Sequence, residues 1–151
     1  MGTLFRIVLY SVDSAAANAA AEAAFARVDS LNEILSDYLP DSELTALSKQ
    51  SGSGEWIPVS RDLWDVVAAA QRLALQTDGS FDITIGPLTR LWRHAMRRQV
   101  MPDSSALQEA WALVGFQFIE MDSTDHAIRL TRAGMRLDAG GIAKGYAVDR
   151  A

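Results

Sequence analysis

The chain changes its hydrophobic period near the start. Leu4 to Tyr10 alternates, with Phe5, Ile7 and Leu9 on one side and Leu4, Arg6, Val8 and Tyr10 on the other, which predicts a β-strand. Beyond Asp13 and Ser14, two candidate caps, an alanine-rich segment carries Phe25, Val28, Leu31 and Leu35 at helical spacing and predicts a long helix with one face on a sheet. Ser36 to Pro40 reads as an exit loop, Ser42 to Ser48 as a short helix or turn, Ser51 to Gly54 as a connection and Trp56 to Val59 as a short edge strand. Ser60 caps a second helix with Leu63, Val66, Val67, Ala70, Leu73 and Ala74 as its buried stripe, and Asp78-Gly79 stops it with a left-handed turn.

Phe81 to Ile85 is a brief apolar piece closed by Gly86-Pro87, and Pro87 opens a helix through Leu91, Trp92 and Met96. Another helix starts near Asp103 to Ser105, turns Leu107, Trp111 and Val114 inward and ends at Gly115. Three strand candidates follow: Phe116 to Met121, Ala127 to Thr131 and Met135 to Asp138, whose short loops favour antiparallel pairing. Helices first and a meander afterwards predict an α+β domain, an antiparallel sheet with packed helices. Gly141 to Ala151 begins like a helix and stops without a cap, so 1–151 is expected to be the N-terminal part of a longer domain.

With 151 residues, 49% of them hydrophobic, there is room for a core without disulfides, and the absence of cysteine removes thiol nucleophiles and thiolate zinc sites. The net charge of −5 argues against a general nucleic-acid surface. No run of about 18 apolar residues predicts a membrane span, and Met1 to Ser11 lacks the pattern of an export leader. Of the 14 basic residues only Lys49 and Lys144 are lysine.

Chemistry concentrates in three places. In Leu137-Asp-Ala-Gly-Gly-Ile-Ala-Lys-Gly145 a strand end, two glycines and a helix start outline an anion site, with Lys144 in reach of a phosphate and Asp138 suited to a ribose, a ring nitrogen or a metal's outer shell. The same residues also fit a tight turn with a capping aspartate and a solvated lysine. Asp82, within an apolar stretch, needs either a ligand or the amides of its own turn. Tyr38, beside a Pro-Asp turn, can offer its ring to a flat ligand or simply cover a loop. Arg90, Arg93, His94, Arg97 and Arg98 make a basic helix side whose simplest reading is a solvated face, with an acidic partner or nucleic acid as the alternative.

Taken together these segments resemble the FAD:protein FMN transferases, the ApbE-like flavin transferase family. Met1-Gly-Thr3, Ser36-x-Tyr38-x-x-x-Ser42-Glu-Leu44, Gly79-x-Phe-Asp-Ile-Thr-Ile-Gly-Pro-Leu88 and Leu137-Asp-x-Gly-Gly-Ile-Ala-Lys-Gly-Tyr-x-Val-Asp149 follow the family's motifs in order. The resemblance implies an ApbE-like, T-fold-like architecture of which this chain holds the first part. It implies transfer of the FMN half of FAD, with Mg²⁺, onto a threonine or serine hydroxyl of an acceptor flavoprotein such as a redox-pump subunit, releasing AMP. Met1, Tyr38, Ser80, Phe81, Asp82, Asp138 and Lys144 would line the FAD site, Lys144 and Asp138 serving catalysis and Gly141 giving its backbone carbonyl to the metal. The other metal ligands of the family, an aspartate and a threonine, fall beyond Ala151, so the chain alone is expected to be nearly inactive. Ser48 stands where the family usually has asparagine. An FAD pyrophosphatase and a non-catalytic FAD-binding module are the alternatives. A periplasmic or membrane-associated setting, through a leader not seen here, is implied by resemblance only.

Overall fold

The computed structural model describes residues 2–151. Asp13 accepts the amides of Ala15 and Ala16 at 2.9 and 3.1 Å and opens α1 (Ser14–Leu35), which buries Val28, Leu31 and Leu35. Its alanine-rich first half and Phe25 stay mostly outside the core. Ser42 caps α2 (Glu43–Lys49), and Ser60 caps α3 (Arg61–Gln76) by accepting the Leu63 amide at 3.3 Å. The buried stripe of α3 is Leu63, Val66, Val67, Ala70 and Ala74, while Leu73 falls at its exposed margin. Three short strands, β1 (Ile57–Pro58), β2 (Ile119–Asp122) and β3 (Ala127–Leu130), form an antiparallel sheet in the order β1-β3-β2, with Ile57 and Met121 both opposite Ile128. Helices α4 (Gly86–Arg98), α5 (Ser104–Trp111) and α6 (Ala143–Arg150) complete an α+β fold. One cluster joins Leu31, Leu44, Leu63, Val66, Ile128 and Leu137, each almost completely buried.

Several expected elements differ. Residues 4–10 form no strand; Leu4 and Tyr10 are exposed, while Phe5 packs against the core. Alternation orients side chains, but a strand exists only where a neighbour completes its ladder, and none of the described strands pairs there. Met135 to Asp138 is extended without a ladder, its amides serving a serine and a turn instead. Phe116–Phe118 is a 3₁₀ turn ahead of β2, and Ile83–Ile85 is another. Helix α5 buries no residue, and its Trp111 is exposed rather than inward.

Asp62 ties three helices: on α3, it accepts from the Arg27 guanidinium of α1 and, at 2.8 Å, from the Tyr146 hydroxyl of α6. Burial alone would raise its pKa, but the hydrogen bonds from Arg27 and Tyr146 and the nearby positive charge hold it below the usual carboxylate value. A depressed folded-state pKa gives stability that is present above the unfolded value of 3.8 and is lost as the pH falls through and below it. Asp62→Asn is therefore expected to cost about 1–2 kcal/mol at neutral pH and much less under strong acid. Urea denaturation at the two pH values checks this; an equal cost at both would remove the charge from the explanation.

Candidate functional site

The loop after α1 is shaped by hydroxyls. Ser36 Oγ accepts the amides of Tyr38 and Leu39 at 3.2 and 3.3 Å, and Ser42 Oγ donates to the Ser36 carbonyl. This turn places Asp37 inside, 7% exposed, and leaves Tyr38 65% exposed. The residues that follow hold the scaffold: the Ser60 amide and hydroxyl donate to the two Glu43 oxygens at 2.5 and 2.6 Å, and Leu44 lies in the core.

The second segment is organised by Asp82. Its Oδ1 accepts from the amide and hydroxyl of Thr84 at 2.8 and 2.7 Å, and its Oδ2 accepts the Phe116 amide at 2.8 Å. Thr84 is fully buried and its Oγ1 also accepts the Gly115 amide at 2.7 Å. The polar cost of Asp82 is thus met by its own turn and by the loop after α5, and the side chain still lines the cavity.

The third segment arrives along an extended stretch held by two amides. Leu137 N donates to Ser48 Oγ at 3.1 Å and Asp138 N to the Ile83 carbonyl at 2.7 Å. Buried Ser48 also donates to the Leu44 carbonyl at 2.9 Å, so it links α2 to the backbone that positions Asp138. Ser48→Ala leaves the buried Leu137 amide unpartnered and is expected to cost about 1–2 kcal/mol in urea denaturation; unchanged stability would show that this bond contributes nothing. Beyond Asp138, the Gly140 amide donates to its Oδ1 at 2.9 Å, and a Cβ on Gly141 would meet Phe81 Cε2 at 3.0 Å. Glycine lets this turn lie against the Phe81 ring.

Arg93 closes the centre. Its Nη1 donates to Asp37 Oδ2, its Nη2 donates to Asp138 Oδ2 at 2.9 Å, and its guanidinium sits 4.2 Å from the Tyr38 ring centroid. Burial alone would lower the pKa of Arg93, but the hydrogen bond and charge of Asp37, with the charge of Asp138, hold it above the ordinary arginine value. Lys144 is exposed and its ammonium makes no ion pair among the described residues.

These segments enclose a cavity of about 700 Å³, lined by Tyr38, Ser80, Phe81, Asp82, Asp138, Gly141 and Lys144 among others. Every described residue expected at the site is brought to it; Met1 lies outside the described residues. The sequence did not single out Asp37, Thr84 or Arg93. Asp37 was hidden beside Tyr38, and nothing in the basic pattern of α4 separates Arg93 from Arg90 or Arg97. As a magnesium centre the described residues do not suffice: none of them form a group of three or more histidine or acidic side chains able to hold a metal. The Asp82 and Asp138 oxygens are also already engaged by protein donors.

The model of the ApbE family matches residues 1–151. The FAD:protein FMN transferase of Treponema pallidum (strain Nichols) is 34% identical, with 99% of this chain and 43% of that protein covered. That of Klebsiella pneumoniae (strain 342) is 30% identical, with 99% and 46% covered. The chain thus spans less than half the length of these curated relatives. The apo structure of the Pseudomonas stutzeri flavinyl transferase ApbE is similar at a TM-score of 0.80 and 29% identity, over 93% of this chain and 44% of that one. The flavin transferase ApbE from Vibrio cholerae gives 0.78 and 29%, over 92% and 44%.

Proposed function

This chain belongs to the ApbE family, and from that premise we propose that it works as an FAD:protein FMN transferase, moving FMN from FAD to a threonine or serine hydroxyl of an acceptor flavoprotein and releasing AMP. The observation that carries the reading is the convergence of Tyr38, Ser80, Phe81, Asp82, Asp138, Gly141 and Lys144 on one cavity of nucleotide size.

In this reading the exposed Tyr38 ring offers a stacking face to the isoalloxazine, and the Phe81 side shapes the floor under Gly141. Asp138, fixed by Arg93 and the Gly140 amide, orients the ribose or flavin end. Lys144 faces the diphosphate. The acceptor oxygen bonds to the FMN-side phosphorus, the bridging P–O bond breaks and its electron pair leaves with AMP, while the hydroxyl proton passes to water. Lys144, a cation with no ion pair among the described residues, favours the charge that builds on the departing phosphate. The described residues offer magnesium at most the Gly141 carbonyl, so magnesium dependence belongs to the proposal as a requirement to be tested. A periplasmic or membrane-bound setting belongs to it on the same footing; no helix among the described residues is long and apolar enough to cross a membrane.

The test is to incubate the complete reading frame, at the length of the curated relatives, with FAD, Mg²⁺ and an acceptor flavoprotein and to weigh the acceptor. An FMN mass addition that needs Mg²⁺ supports the transferase. Free FMN and AMP without addition would make the protein a pyrophosphatase, and FAD that binds but never reacts would overturn catalysis.

A further inference from the structure

The basic side of α4 divides between two cavities. Arg93 faces the site above, whereas Arg90, His94 and Arg97 line a second cavity of about 800 Å³ bounded also by α2, α5 and the stretch before Leu137. Lys49 and Arg136 join them there, and the acidic group on its wall is Glu109. Arg90, His94 and Arg97 recur at helical spacing and form one stripe, and none of their side chains enters an ion pair among the described residues. Arg136 donates to the Asp37 carbonyl at 2.7 Å and Lys49 to the Pro40 carbonyl at 2.7 Å, contacts that leave both positive charges uncancelled. Among the described residues that line this cavity, Lys49, Arg90, Arg97 and Arg136 thus bring four full positive charges against the one carboxylate of Glu109, in a chain whose net charge is −5. Such a local reversal creates a field that selects anionic partners.

Two features decide the kind of anion. The cations stand on three separate pieces of the chain instead of converging on one point, as a lone phosphate would require, and between them lies an apolar floor of Leu91, Leu113 and Met135. The matching ligand is extended, with carboxylates at intervals and apolar side chains between them. Through Arg136 the groove is joined to the loop that carries Tyr38.

We propose that this groove docks an acidic peptide segment and, resting on the transferase reading, that the segment belongs to the acceptor flavoprotein, held next to the flavin site by α4 and the Tyr38 loop. Flavin and acceptor would then be recognised on neighbouring faces by different residues of one helix.

The experiment uses the whole chain and a short fluorescein-labelled peptide of glutamate and leucine, with its glutamine counterpart as control, followed by anisotropy at low and high salt. The glutamate peptide is expected to bind, to weaken as salt rises, and to weaken about tenfold in Arg90→Glu/Arg97→Glu, while the glutamine peptide does not bind. Arg90→Gln/Arg97→Gln, which puts no carboxylate near the helix end, gives the same reading in a smaller amount if the reversed variant unfolds. Equal binding of both peptides, or indifference to the substitutions, would overturn the proposal. So would full displacement by inorganic phosphate, which would mark a small-anion site, or tighter binding of a single-stranded RNA. FAD binding, followed by flavin fluorescence in the same samples, is expected to be unchanged by these substitutions. Failure of the unsubstituted protein to bind FAD would strike the transferase reading and leave the peptide result standing by itself.

Discussion

Arg93→Met is expected to destabilise the protein by about 3 kcal/mol and to loosen the flavin site, the largest stability effect among the site residues. Asp37 and Asp138 are 7% and 8% exposed at their side chains, and the Arg93 guanidinium bonds to both. Methionine fills much of the volume but leaves two desolvated carboxylates facing each other without a cation. The figure is set at the low end for a broken buried pair because a third of the Arg93 side chain still meets solvent. Arg93→Lys keeps the charge but cannot fork to both carboxylates, and should cost about 1–2 kcal/mol. The explanation carries its own control: Arg93→Met combined with Asp37→Asn should be more stable than Arg93→Met alone, because one of the stranded charges is gone. Urea denaturation of the three variants measures this. If the double variant is the least stable, the triad is held together by packing and the electrostatic account fails.

Lys144→Ala should behave in the opposite way. Its ammonium has no ion-pair partner among the described residues and the side chain is exposed, so folding stability should stay within about 0.5 kcal/mol. Under the transferase reading its charge acts on the diphosphate, and its loss should slow FMN transfer about a hundredfold, the scale found when one fixed donor is removed from a developing anion. Arginine at this position should restore part of the rate, since it supplies the charge with a different reach. The initial rate of mass addition to the acceptor, measured with the complete reading frame, decides the matter. Transfer at the original rate would remove Lys144 from the reaction, and a large fall in stability would mean the residue is structural.

The two variants separate what the motif stretches do. Ser42, Glu43 and Leu44 close a stretch that follows a family motif, and their side chains hold the Ser36 carbonyl, the α3 cap and the core. Asp82 reads as a residue that needs either a ligand or the amides of its own turn, and it is met by Thr84 of that turn and by the Phe116 amide. Ser48, a departure from the family pattern, turns out to hold the backbone that leads to Asp138. Gly86 has a similar structural meaning: a Cβ there would lie 2.4 Å from the Arg136 carbonyl oxygen, so only glycine lets α4 start so close to that stretch.

The long helices, their caps at Asp13 and Ser60, the α+β class and the stretches that meet at the cavity were legible in the linear sequence. These are local matters, because helical hydrogen bonds and caps join residues a few positions apart. The tertiary structure decided the rest. Residues 4–10 and 135–138 alternate as strands do but lack a ladder, since a strand depends on a neighbour that its own residues do not specify. Arg93 became the centre of the site, and Arg90, His94 and Arg97 a separate groove, only when folding brought Asp37 and Asp138, which lie 56 and 45 positions away, within reach of one guanidinium. A charge declares its surroundings nowhere in the linear pattern: its energy depends on burial and on partners supplied by distant parts of the chain.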